Sequence, residues 1–211
     1  MLMAKERKLT AAEENRLASF RETEKRLGEE GYRETLLTIK MGAANALSIV
    51  LMFVTAAVYV FIFFKANGTD PFSSWDSLMP LKVLGAVLVL TVVHELVHGL
   101  SWVIFSPATF SDISFGVDMQ HLAPYCCCTA PLKRKNHLAG TLMPLVLLGI
   151  VPFVISVFTA SLFLLTVSVM MTAAATGDIM IAAKLIRFRM TGNELLVIDH
   201  PVDAGTVVFE R

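Results

Sequence analysis

The chain has 211 residues, of which 55% are hydrophobic and 17% charged, with a mean hydropathy of +0.64. Its 18 basic and 18 acidic side chains cancel, so no net field favours nucleic acid, and so little charge poorly suits a soluble domain of this length. The charges are also clustered, leaving long stretches nearly free of them, a distribution that points to an integral membrane protein.

Residues 1–40 hold nine Lys/Arg and eight Glu, interleaved as in AAEENRLASFRETEKRLGEE. Opposite charges at helical spacing predict a solvated amphipathic helix that stops near Gly28 or Gly31. The segment is polar from its start and lacks a hydrophobic run, so no signal peptide is expected.

From Met41 to Phe64 no charge appears, and the length suits a helix crossing ~30 Å of hydrocarbon, which takes about 20 residues. A second run, Val83 to Phe105, also has spanning length. A third, Leu138 to Ala183, carries a single charge, Asp178. As one straight helix it would reach roughly 70 Å, more than twice the hydrocarbon thickness. Two helices with a tight turn at Thr159–Ser161 fit better, the first kinked by Pro144 and Pro152. The reading is an all-α integral membrane protein, a bundle of about four transmembrane helices. Small β-hairpin elements are expected in the 106–137 loop, where FSDISFGVDMQ alternates, and in the tail ELLVIDHPVDAGTVVFE. Residues 1–40 form a charged N-terminal segment, residues 41–189 the membrane core, and residues 190–211 the tail.

Lysine and arginine near the span ends set the orientation. Lys40 and the arginines before it place the N-terminus in the cytoplasm, Lys133, Arg134 and Lys135 return the second loop there, and Lys184, Arg187 and Arg189 keep the C-terminus inside. Cys126, Cys127 and Cys128 are contiguous and form neither a disulfide framework nor a CxxC pair. They read as a reduced apolar cluster near a membrane surface, with metal capture or lipidation as the other roles open to them.

The second span contains His94-Glu95-Leu96-Val97-His98, an HExxH motif. Residues four apart on a helix lie about 40° apart around its axis, so both imidazoles leave one face and can share one Zn²⁺. Glu95 can reach the metal-bound water as general base. An acid at a helix centre in lipid costs at least roughly 2.5–3.5 kcal/mol, so ionisable groups there are expected to meet partners. Across the four proposed spans the ionisable side chains below tyrosine in pKa are His94, Glu95, His98 and Asp178. A catalytic zinc takes three protein ligands plus water, and Asp178 can provide the third. At 1.5 Å per residue, His94, His98 and Asp178 lie roughly 17, 23 and 26 Å from the outer ends of their spans, so they can meet. Thr91, His94, His98 and Ser101 make one polar stripe on an otherwise apolar helix.

An intramembrane HELVH followed by Gly177-Asp178 on a later span resembles the site-2 protease-like intramembrane zinc metalloproteases, most of all the branch of membrane zincins with a short Gly-Asp element. The resemblance covers roughly residues 83–210, including the Asp199-His200-Pro201 turn. It implies that His94, His98 and Asp178 bind zinc, that Glu95 activates water, and that a peptide bond of a membrane-anchored protein or peptide is hydrolysed. Better-known site-2 proteases carry the aspartate in an Asn-Pro-Asp-Gly setting, whereas here it lies in Thr176-Gly177-Asp178-Ile179. The expected location is a prokaryotic cell membrane, with the lipid bilayer and the anchored substrate as partners.

Other polar residues compete less strongly. His121, Asn136 and His137 read as surface or loop-packing residues, His200 as a turn residue, and Gly99 and Gly140 as sites of close helix packing. Strands within 109–120 could present an edge to an extended substrate. The other functional classes are a metal or proton transporter, for which no repeated halves are evident, and a non-catalytic membrane adaptor that keeps the metal as a structural pin. A di-iron centre would need more carboxylates than these spans offer.

Overall fold

The computed structural model describes residues 9–68, 75–118 and 123–211, and the chain is mostly helical with two small sheets. Helix α1, Ala11–Glu29, begins at a capping box. The Glu13 N–H donates to Thr10 Oγ, and the Glu13 carboxylate accepts the Thr10 N–H at 2.8 Å. Its Phe20 and Leu27 pack with Tyr32, Ile198, Val207 and Phe209, so the charge-laced helix has a buried stripe as well as a solvated face.

Gly31 turns the chain at φ +88°, and Arg33–Thr38 then forms β1. The sequence had suggested no strand here. The residues RETLLT lie opposite β6, Gly205–Glu210, which would otherwise leave an unpaired edge. With β4, Leu132–Lys133, and β5, Leu195–Asp199, they make an antiparallel sheet in the order β1-β6-β5-β4. The two tail strands lie on either side of Pro201, as the alternation of the tail predicts. A second, two-stranded sheet pairs β2, Ile113–Asp118, with β3, Ala123–Cys128, in the register Phe115 to Cys126. The architecture is therefore mixed rather than purely α.

Three helical stretches are long and apolar enough to cross a membrane: α2, Met41–Asn67; α3, Met79–Phe105; and the run Arg134–Thr159. That run comprises α4, Arg134–Pro144, a π-helical turn at Leu145–Ile150, and α5, Val151–Thr159. Pro144 and Pro152, which donate no backbone N–H, flank the irregular turn, so the interruption falls where the prolines predict it. Ala160 adopts the left-handed conformation at φ 51°, and Ser161 Oγ caps the next helix by accepting the Leu164 N–H. The long apolar run thus reverses at 159–161.

The fourth stretch departs from a straight span. It is α6, Leu162–Ala174, and α7, Thr176–Arg187, bent by 49° at Ala175. Large apolar side chains on α2 and α3 face outward, Phe53 at 66% and Leu88 at 63% exposure, as suits helices solvated by lipid.

Candidate metal centre

His94 and His98 project from one face of α3 and are both buried. The bend at Ala175 starts α7 beside them, which puts Asp178 in the first turn of a helix, where backbone N–H groups favour a carboxylate. The three residues HExxH spacing and charge counting had singled out converge. His94 Nε2 lies 3.1 Å from Asp178 Oδ2, His98 Nε2 lies 3.3 Å from Asp178 Oδ1, and the two imidazole Nε2 atoms are 3.2 Å apart.

Two observations test whether this cluster fits zinc. Ligand atoms about 2.0–2.1 Å from a tetrahedral zinc lie roughly 3.3–3.4 Å from one another. The two Nε2 atoms, 3.2 Å apart, are spaced like one edge of such a tetrahedron, and each faces its own oxygen of the Asp178 carboxylate, Oδ2 at 3.1 Å from His94 and Oδ1 at 3.3 Å from His98. Second, His98 Nδ1 lies 2.9 Å from the Gly140 carbonyl oxygen, which can only accept, so Nδ1 carries the proton. Its Nε2 then offers a bare lone pair to the cluster, the tautomer a metal ligand requires. Among the described residues His94 Nδ1 is buried with no hydrogen-bond partner, so the second imidazole lacks such a support. The donor set fits.

Glu95, half-buried on the neighbouring face of α3, receives a hydrogen bond from the backbone of Cys126 on β3. The Cys128 N–H donates to Asp199 Oδ2 at 2.8 Å. Both of these N–H groups of β3 therefore point away from β2 and are taken by carboxylates. Burial and the Asp199 carboxylate push the thiols of Cys127 and Cys128 up to about 12, so at neutral pH they are protonated and poor metal ligands.

Sequence reasoning missed the layer behind the two histidines. Trp102 stacks on His98 with ring centroids 5.4 Å apart, and its indole N–H donates to the His137 carbonyl at 3.2 Å. A side chain at Gly140 would occupy the indole's place, since an added Cβ would lie 2.2 Å from Trp102. His137 is no surface residue: at 1% exposure, its Nε2 meets Asp199 Oδ1 at 2.9 Å and its Nδ1 meets Thr141 Oγ at 3.2 Å. It belongs to helix α4 rather than to a loop. Asn136 lies one position earlier on that helix, and His121 falls outside the described residues. His200 does serve a turn, its Nδ1 accepting the Asp203 N–H at 2.7 Å.

A cavity of about 490 Å³ joins the metal cluster to the cleft between α1 and the tail. Arg16 of α1 closes part of that cleft, donating from Nε to the Pro201 carbonyl at 3.2 Å and from its guanidinium to the Tyr125 hydroxyl.

No curated protein and no solved structure matches the chain. Residues 87–191, which carry the HELVH helix and Asp178, match the family model described as "Putative zincin peptidase"; this match suggests a zinc metallopeptidase and implies zinc as its cofactor.

Proposed function

We propose that the protein is an intramembrane zinc metalloprotease that hydrolyses a peptide bond of a membrane-anchored protein or peptide. The observation that carries the reading is the convergence of His94, His98 and Asp178 within 4.8 Å of one another, on helices apolar enough to span a bilayer, with Glu95 alongside. His94, His98 and Asp178 would hold the ion. Zinc, when bound, supplies a Lewis acid that acidifies water and polarises a carbonyl.

The remaining work falls to the chain itself. Glu95, oriented by the backbone of Cys126, takes the proton of the attacking water and returns it to the leaving amine. His98 is fixed by Gly140 and Trp102, so the site is organised before substrate arrives. The cavity brings water and substrate to the carboxylate from the side of α1 and the tail, which the charge asymmetry of the loops makes cytoplasmic.

The test uses purified protein in phosphatidylcholine vesicles with a set of single-span reporter peptides, scored by mass spectrometry for new termini. Wild-type protein generates them and Glu95→Gln does not, while both retain zinc. Cleavage that survives in Glu95→Gln contradicts the role of Glu95. A zinc-loaded wild type inert on every reporter favours a membrane metal-binding protein or transporter.

A further inference from the structure

Two basic segments, Lys133-Arg134-Lys135 and Lys184 to Arg189, lie far apart in the chain yet share one corner of the fold. The first opens α4 and the second closes α7. Arg134 joins them, donating from Nη2 to the Phe188 carbonyl at 2.9 Å with its guanidinium 6.0 Å from the centre of the Phe188 ring. Two other cations of the corner are also engaged. Lys184 donates to the Thr38 carbonyl at 2.6 Å, and Lys133 stands near Glu194, whose carboxylate is held by Arg211 at 3.0 Å. Lys135, Arg187 and Arg189 are different: all three are exposed, and among the described residues they have no hydrogen-bond, ion-pair or ring partner.

The corner lies where a lipid headgroup would lie. Helix α4 opens a run long and apolar enough to cross a membrane, and α7 closes the bent fourth stretch. Their basic ends fall on the side that the charge asymmetry makes cytoplasmic. Around the arginines the chain exposes Ile186 at 60% and Met190 at 43%. An acidic soluble partner would answer the charges and leave these two side chains wet. A phosphodiester carrying acyl chains answers both, and basic pockets between spans on the cytoplasmic side suit such headgroups.

We infer that this corner binds the headgroup of an anionic phospholipid, with Lys135, Arg187 and Arg189 on the phosphate oxygens and Ile186 and Met190 against the acyl chains. One lipid there ties the start of α4 to the end of α7. Further along the same two helices stand Gly140, about 9 Å from Arg134, and Asp178, about 14 Å from Arg187. The Gly140 carbonyl fixes His98 and the Asp178 carboxylate faces it, so an occupied corner holds both in register. The inference rests on the reading of these helices as spans and is independent of whether the centre is catalytic.

The experiment titrates the purified full chain, in uncharged detergent, with phosphatidylglycerol, phosphatidylcholine or inorganic phosphate. Native mass spectrometry counts bound lipid, and melting temperature is read on the same samples. Wild-type protein is expected to retain phosphatidylglycerol and to melt higher with it, and to ignore the other two. The triple variant Lys135→Gln, Arg187→Gln, Arg189→Gln should bind about 100-fold more weakly, at roughly fivefold for each cation lost. The charge-conserving triple Lys135→Arg, Arg187→Lys, Arg189→Lys should stay near wild type, as should Lys65→Gln and Lys82→Gln at the far ends of the spans. If the glutamine triple melts below wild type without lipid, the single Arg189→Gln, about fivefold weaker, decides. Phosphatidylglycerol bound equally by wild type and the deciding variant overturns the inference. Equal retention of phosphatidylcholine overturns it, as does retention of neither lipid. A response to inorganic phosphate that matches the lipid's overturns it as well, since the corner is then a site for a free anion.

Discussion

The Nδ1–H of His98 donates to the carbonyl of Gly140 at 2.9 Å, and the Trp102 ring fills the space that a side chain on Gly140 would need. One backbone position thus sets both the tautomer and the packing of an imidazole proposed to bind the metal. Substituting it acts on the metal without touching a ligand. Gly140→Ala forces the indole away from α4 and is expected to weaken zinc binding by about 10–100-fold, the usual scale for losing a group that orients a metal ligand. Competition with a chromophoric chelator in detergent measures it.

Glu95→Gln keeps the shape of the side chain and removes its basicity. Zinc content should stay at the wild-type level while cleavage of the reporter peptides falls by roughly 10²–10⁴-fold, the span typical of general acid–base catalysis. Metal analysis and single-turnover cleavage on the same preparation separate the two effects.

The buried His137–Asp199 contact ties the tail sheet to the helix behind the ligands. Asp199→Ala leaves His137 Nε2 and the Cys128 N–H without their partner at once. A buried polar group left without its partner costs about 1–3 kcal/mol, so a clear fall in melting temperature is expected. Asp199→Asn, which can keep an acceptor for one of these donors, should lose less. Thermal denaturation in detergent ranks the two variants.

Burial holds the pKa of His200 below its ordinary value, and its Nδ1 accepts the Val202 and Asp203 N–H groups only while it is unprotonated. The folded pKa is depressed relative to the unfolded one, so the unfolded chain binds the extra proton. The contribution of this residue is therefore complete above about pH 6.5 and is lost as pH falls below it. Melting temperature should drop between neutral and mildly acidic pH, with a slope of at most about 1.4 kcal/mol per pH unit from one proton. His200→Asn should flatten that slope.

How much of this was legible in the sequence depended on whether side-chain identity or backbone carried the information. His94, Glu95 and His98 could be read because a helix turns spacing into a shared face. Asp178 could be read because it is the single charge in a long apolar run, where an unpartnered carboxylate would be costly. The hairpin and the tail strands announced themselves by alternation. The strand Arg33–Thr38 did not, since its existence depends on a partner edge more than 160 residues away, as in Arg33 opposite Glu210. The Gly140 carbonyl and the Cys126 N–H were invisible for a different reason: every residue has these groups, and only the fold aims them at His98 and Glu95. His137 had one signal worth heeding, Thr141 one turn later on the same helix, but its acid partner comes from the distant tail.

The central claim, that His94, His98 and Asp178 grip one zinc ion, is tested most directly by zinc-edge X-ray absorption on the purified protein beside His94→Ala and Asp178→Ala. The account predicts two imidazole nitrogens and oxygen ligands at about 2.0–2.2 Å in the wild type, with zinc lost or its shell altered in both variants. Sulfur scattering at about 2.3 Å, or a spectrum that neither substitution changes, would contradict it.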